Sequence, residues 1–202
     1  MDRHSIALRP ATPTFEEGLA CARYFDEAAE GFMRLVFGRR FEYIIATAFT
    51  QPDHDLSYQN VTFAERDNVI VGMTLAYTAE QHRRSSRDPL KRAAGRLRLR
   101  MNIALILFAP LMRINDSIAD GDFYLQSIAV DKALRAEGVG SVLMDSFEEQ
   151  ARACGSTRLS LDVSPKNEVA RRFYERRGWN VESEWPKLWF IPSLSVRMTK
   201  PL

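Results

Sequence analysis

The chain reads as one α/β domain built on about seven strands, and three observations carry that expectation. Between Tyr124 and Gly140 an apolar run, Leu125 to Val130, gives way to a glycine-bearing loop that opens a helix. Upstream, Asn60 to Glu65 and Val69 to Tyr77 are two β-rich runs joined at Arg66-Asp67-Asn68, the pattern of a hairpin. Downstream, Leu159 to Val163, a helical stretch and two more strand-like runs complete the set. At 202 residues the chain is long enough to bury one core without staples.

From the amino terminus, Ser5 to Arg9 alternates weakly and reads as a first strand ended by Pro10. Thr14 suits the N-cap of a helix over Phe15 to Ala29, with Glu17 three residues on to complete a capping box. A second helix is expected within Phe32 to Phe49, where Leu35, Phe41, Ile44, Ile45 and Ala48 leave an apolar stripe, and Gly31 separates the two. Pro52 to Ser57 is polar and turn-like. In the hairpin that follows, Gly72 allows either a bulge or a close backbone approach.

Thr78 to Gly121 is a long connection for a compact domain. His82 to Arg100 carries Arg83, Arg84, Arg87, Lys91, Arg92, Arg96, Arg98 and Arg100 against the lone acid Asp88, and Met101 to Met112 is almost wholly apolar. Three readings stay open. One is a helical insertion packing Leu97, Met101, Ile103, Ala104, Leu107 and Phe108 on the domain or on a second subunit. Another is a lid over an acceptor site that favours acidic substrates. The third is contact with anionic membrane or nucleic acid, where clustered cations attract phosphates; no aromatic side chains interleave with the arginines, so base stacking is not supported.

The central stretch carries the chemistry. After the strand comes Arg135-Ala136-Glu137-Gly138-Val139-Gly140. Backbone N–H groups that wrap an anion must approach it closely, which favours glycine. The helix from about Gly138 to Cys154 places Val139, Leu143, Phe147 and Ala151 on one face, with Asp145, Glu148, Glu149 and Arg152 facing away. Its first turn presents free donors and the positive end of the helix dipole, which suits a pyrophosphate. Gly155 and Gly178 read as C′ glycines of this helix and the last one, and Asn167 as the N-cap of the last.

Beyond Arg158 the chain runs Leu159-x-Leu161-x-Val163, Ser164-Pro165-Lys166-Asn167, then Val169-Ala170-x-x-Phe173-Tyr174-Glu175-x-x-Gly178-Trp179. The loop [Arg/Gln]-x-x-Gly-x-[Gly/Ala] followed by Asn-x-x-Ala-x-x-x-Tyr-Glu-x-x-Gly-[Phe/Trp] resembles the acyl-CoA-binding half of the GCN5-related N-acetyltransferase (GNAT) superfamily, over roughly Phe123 to Val181. The resemblance implies a mixed, largely antiparallel sheet with helices on both faces, its central strands splayed around the cofactor. It implies that backbone groups of Ile128, Ala129 and Val130 pair with the pantetheine arm and that Arg135, Ala136, Glu137, Gly138, Val139, Gly140 and Ser141 hold the pyrophosphate. Asn167 stands at a family position as well as at a cap. Tyr174 occupies the position of the tyrosine that protonates the leaving thiolate, against the alternative of a core aromatic, and a backbone N–H near Ile128 is a candidate donor to the oxyanion that the sequence does not place.

The resemblance therefore implies an N-acetyltransferase that moves an acetyl group from acetyl-CoA, as co-substrate, to a primary amine of a small molecule or protein, by direct transfer in a ternary complex. Two alternatives stand beside it: a non-catalytic acyl-CoA-binding or interaction module, and an acyltransferase using a longer acyl-CoA. No general base is singled out among Glu65, Asp120, Asp122 and Asp162. His4, His54 and His82 form no triad or ligand set, and no metal is expected. The formal net charge of +2 gives no polyanion signal, so nucleic acid is not an expected partner. Cys21 and Cys154 have no ligand spacing and read as reduced thiols. Met101 to Met112 falls short of the roughly 20 residues of a membrane span, and no apolar leader opens the chain. A cytoplasmic protein is the expectation. The apolar insertion makes a homodimer an open possibility.

Overall fold

The computed structural model describes residues 6–31, 33–34, 38–95, 118–186 and 194–202. The β-rich runs become β1 (Ala7–Pro10), β2 (Val61–Arg66), β3 (Val69–Thr78), β4 (Asp122–Val130), β5 (Arg158–Val163), β6 (Asn180–Trp185) and β7 (Ser195–Pro201). The helices are α1 (Phe15–Ala28), α2 (Phe41–Phe49), α3 (Ala79–Arg84), α4 (Asp88–Ala94), α5 (Val139–Ala153) and α6 (Glu168–Glu175). The strands form one sheet in the order β1-β2-β3-β4-β5-β7-β6, and among the described residues only the β4–β5 pair is parallel. This is the mixed, largely antiparallel seven-stranded sheet that the sequence predicts.

Each face of the sheet buries its own core. Tyr24, Phe25, Phe41, Ile45 and Phe49 of α1 and α2 pack with Phe63, Met73, Leu75, Tyr77, Tyr124 and Ala129 on one face. Met144, Phe147 and Ala151 of α5 and Tyr174 of α6 pack with Phe123, Leu125, Leu159, Leu161, Val163 and Trp179 on the other. There the Phe147 ring stacks on Phe123 at 5.1 Å.

Local signals explain most boundaries. The β2–β3 hairpin closes through Asp67 and Asn68, both at positive φ (53° and 62°), the conformation whose twist matches paired strands. Gly72 meets both expectations held for it. Val71 is the extra residue of a bulge opposite the Ala64/Glu65 step, and a Cβ on Gly72 would lie 2.8 Å from the Ala129 carbonyl oxygen. After α5, Gly155 at φ 72° lets the Ser156 N–H donate to Ala151 and the Gly155 N–H to Arg152.

Three local expectations change. Pro10 lies inside β1 rather than ending it; β1 is an edge strand, so a missing donor on its outer side is harmless. The Thr14 hydroxyl accepts from the Glu17 N–H, but the Glu17 carboxylate turns to the Thr12 N–H (2.6 Å), Thr12 Oγ1 (2.8 Å) and Arg9 (3.0 Å) and closes no capping box. A complete box forms instead at Thr78 and Gln81, opening α3. Glu148 faces inward, buried, with Lys200 of β7 at 2.9 Å from both its oxygens. Of the long connection, α3 and α4 are helical; Leu97, the run from Met101 to Met112, and Leu35 upstream lie outside the described residues.

Candidate functional site

The feature that organises the site is where two central strands part. Strands β4 and β5 pair over Asp122–Leu125 and Arg158–Leu161 and no further, so β4 continues through residues 126–130 bonded to β3 alone. Gln126 is an extra residue there, bulged opposite the Leu75/Ala76 step. The Asp131 N–H donates to the Val71 carbonyl at 2.9 Å, on the β3 side. Backbone groups alternate along a strand. Ala129 therefore bonds toward β3, while Ile128 and Val130 turn their N–H and C=O groups to the edge that β5 has left. The Val130 carbonyl accepts from Arg135 Nε there, at 3.4 Å.

Past β4 a short 3₁₀ turn (Lys132–Leu134) leads into the glycine loop. Gly138 takes φ 89° as the N-cap of α5, where a side chain is strained although a Cβ would meet no protein atom within 4 Å. The need for glycine here is conformational. Gly138 O accepts from Ser141 and Val142, at 3.0 and 3.1 Å, whereas among the described residues the N–H groups of Ala136, Gly138, Val139 and Gly140 reach no acceptor. These donors stand together at the start of a 15-residue helix, the arrangement of backbone N–H groups that suits an anion. Arg135 reaches Glu27 of α1 at 2.7 Å and Glu137 reaches Arg66 at 2.8 Å, so ion pairs moor the loop on both sides.

Helix α6 closes the site from the α5 face. A Cβ on Gly140 would lie 3.8 Å from Val130 and 3.9 Å from Phe173, so the β4 end, the loop and α6 converge. Tyr174 is buried against Phe173 and Trp179, with ring centroids 5.6 and 5.8 Å apart. Burial pushes its phenol well above the usual value, which keeps the proton on oxygen. Asn167 caps α6, its Oδ1 accepting from the Ala170 N–H at 3.1 Å.

On the opposite face lies a polar row. Tyr77 donates to Gln126 Oε1 at 2.7 Å. Tyr124 donates to Asp162 Oδ2 at 3.0 Å, and Arg197 Nε and Nη2 donate to the same carboxylate at 2.9 and 2.7 Å. Burial and the neighbouring Asp162 raise the Tyr124 phenol far above its ordinary value. His82 stacks on Tyr77 at 5.5 Å, with its Nδ1 3.1 Å from Asp55.

A family model described as Acetyltransferase (GNAT) family matches residues 21–179. The chain belongs to that family. Solved structures agree on the fold. One described as an acetyltransferase has TM-score 0.67 at 23% identity, covering 96% of this chain and 98% of that one. The N-acetyltransferase from Staphylococcus aureus Mu50 has TM-score 0.65 at 17% identity, covering 96% and 100%. The ribosomal-protein-S18-alanine N-acetyltransferase from Escherichia coli has TM-score 0.54 at 13% identity, covering 98% and 94%. No curated protein matches.

Within this GNAT chain, Gly140 of the loop, Val130 and Phe173 converge at the strand separation, while Tyr174 packs in the core of the α5 face and Asn167 caps α6 with its side chain engaged. Each of the four carboxylates considered as a base is met by an arginine. Glu65 pairs with Arg9 at 2.8 Å, Asp120 with Arg83, Asp122 with Arg158 at 2.6 Å and Asp162 with Arg197 at 2.7 Å. Sequence reading missed the Tyr77–Gln126 and Tyr124–Asp162–Arg197 groups. Their signal was polar residues at the alternate positions of otherwise apolar strands. Among the described residues no group of three or more His, Cys, Asp and Glu could hold a metal ion, and no helix is long and apolar enough to cross a membrane.

Proposed function

We propose that this member of the GNAT family transfers an acetyl group from acetyl-CoA directly to a primary amine in a ternary complex. The observation that carries the reading is the early end of the β4–β5 pairing: it leaves Ile128 and the Val130 N–H at an unpaired strand edge beside a donor-rich loop, with the Val130 carbonyl met only by Arg135. Acetyl-CoA supplies the thioester. The N–H groups of Ala136, Gly138, Val139 and Gly140 bind its pyrophosphate, with Arg135, Glu137 and Ser141 framing the loop. Ile128 and Val130 bond the pantetheine arm along the open edge, as a strand would. The Ile128 N–H faces the position where negative charge develops on the thioester oxygen. Tyr174 gives its proton to the departing sulfur. Because the carboxylates near the site are committed to arginines, the amine loses its proton to water. The free thiols Cys21 and Cys154 support a reducing, cytoplasmic setting.

Thermal unfolding with and without acetyl-CoA tests this reading, on the wild type and on Gly138→Trp. At 100 times its dissociation constant, a ligand specific for the native state adds about 2.7 kcal/mol. That is roughly 5–11 °C for a chain of this size, lost in the variant, whose indole fills the loop. Tyr174→Phe keeps the shift and loses about 10²–10⁴ in thiol release with an amine present. A folded wild type that acetyl-CoA does not shift refutes the reading, and an unimpaired Tyr174→Phe refutes the role of the phenol.

A further inference from the structure

Past Leu125 and Leu161 the two central strands no longer pair, and the first β4 side chain beyond that point is Gln126. Two features fix its direction. It is the extra residue of a bulge opposite the Leu75/Ala76 step, a device that re-aims a side chain. Its Oε1 accepts from the Tyr77 hydroxyl at 2.7 Å, and Tyr77 is itself held, buried between the stacked His82 ring at 5.5 Å and Tyr124 at 5.7 Å. A surface glutamine turns freely, and this one does not. Its amide is planar, so an oxygen pinned to Tyr77 leaves Nε2 on the other side of Cδ, away from that ring. Among the described residues Nε2 donates to no acceptor, and Gln126 is half-buried, in contact with solvent, unlike the sealed Ser127 and Ser160 hydroxyls. Two N–H donors of set direction thus stand where the strands part, on the face of Tyr77, while Tyr174 lies in the core of the opposite face.

We infer that Gln126 sets acceptor specificity in this acetyltransferase: its Nε2 donates a hydrogen bond to a neutral carbonyl oxygen beside the reacting amine, so that the acceptor is an α-amino amide. The inference rests on the acetyl-transfer reading above. Oxygen follows from the donor, since Nε2 offers hydrogens and no lone pair to the N–H groups of an amine. Neutrality follows from the neighbours. A carboxylate calls for a cation, and the Arg197 guanidinium is bonded through Nε and Nη2 to Asp162, while Asp162 and Asp55, the latter 3.1 Å from the His82 ring, add negative charge on this face. Nearness to the amine follows from register, because Gln126 stands two residues before Ile128, where that reading holds the thioester.

The test measures thiol release from acetyl-CoA with glycinamide and with isobutylamine, which shares its branching and lacks the carbonyl, for the wild type, Gln126→Glu and Gln126→Met, beside melting curves with and without acetyl-CoA. The readout is the ratio of kcat/KM for the two amines in each variant against the same ratio in the wild type, a comparison in which the differing basicities of the amines cancel. Gln126→Glu keeps an oxygen for the Tyr77 hydroxyl and removes the donors; Gln126→Met removes them without adding charge. Both are expected to lower the ratio about tenfold, the worth of one hydrogen bond, with the acetyl-CoA-induced melting shift at its wild-type value. An unchanged ratio in the folded variants assigns the amide to holding Tyr77 and overturns the inference. A fall in Gln126→Glu that a folded Gln126→Met does not share marks the new charge and not the lost donor, and overturns it too. A wild type that acetyl-CoA stabilises but that does not use glycinamide overturns the inference alone. A wild type that acetyl-CoA does not stabilise overturns the acetyl-transfer reading and the inference with it.

Discussion

Replacing Arg158 by leucine probes the joint at which the sheet begins to open. The Asp122 side chain has no exposed surface and receives Arg158 Nε at 2.6 Å and Nη2 at 3.0 Å. Arg158 Nη1 reaches Glu182 of β6 at 2.5 Å, so the guanidinium also ties the last hairpin to β4. Its hydrogen bonds to Asp122, more than any other contact, hold the guanidinium pKa above the usual arginine value. Stranding one partner of a buried pair costs about 3–5 kcal/mol. Arg158 is 32% exposed and water reaches the pair from its side, which places the expected loss at the lower end, about 3 kcal/mol. For a chain of this length that is roughly 6–12 °C in melting temperature. Urea unfolding of the wild type, Arg158→Leu, Asp122→Asn and the double variant measures it as a cycle. The double variant strands no charge and should be more stable than the summed single losses imply. A loss in Arg158→Leu below about 1 kcal/mol, the worth of a surface pair, or strictly additive losses, would refute the buried-pair argument.

Two further perturbations test other parts of the fold. His54 is buried with its Nε2 2.8 Å from the Ala48 carbonyl, and burial lowers its pKa. The unfolded chain therefore takes up this proton first as pH falls below about 6.5, and the His54 contribution, complete above that pH, is lost on acidification. His54→Gln should flatten the stability profile between about pH 7 and 5, and an unaltered profile in chemical unfolding would discount burial as the cause. Gly72→Ala places a methyl 2.8 Å from the Ala129 carbonyl oxygen, so β3 and β4 must separate locally. We expect a loss of about 1–3 kcal/mol by urea unfolding together with weaker acetyl-CoA binding, because the displaced strand carries Ile128 and Val130; wild-type values for both would refute it.

Short-range patterns were the legible ones. The apolar spacing of Val139, Leu143, Phe147 and Ala151 placed α5, and the Arg135 to Gly140 run together with Tyr174 placed the loop and α6, because each signal is completed within a few residues. What escaped was settled by partners distant in the chain. Glu148 looks like a surface acid until Lys200, 52 residues away, is folded against it. Asp122 and Asp162 look like bases until Arg158 and Arg197, 36 and 35 residues on, occupy them.

The strand order also bears on how the chain is born. Strands β1 to β4 lie side by side in the order of their synthesis, whereas β5, β7 and β6 form a second leaf from later residues. As the polypeptide leaves the ribosome, the first leaf can assemble around the β2–β3 hairpin while its β4 border is still bare, and a bare border invites pairing with another chain. The later leaf then pairs with only Asp122–Leu125 of that border, and among the described residues no strand pairs with the remainder, Ile128 included. A nascent-chain hazard is thus carried into maturity as an unpaired edge that another extended segment can join.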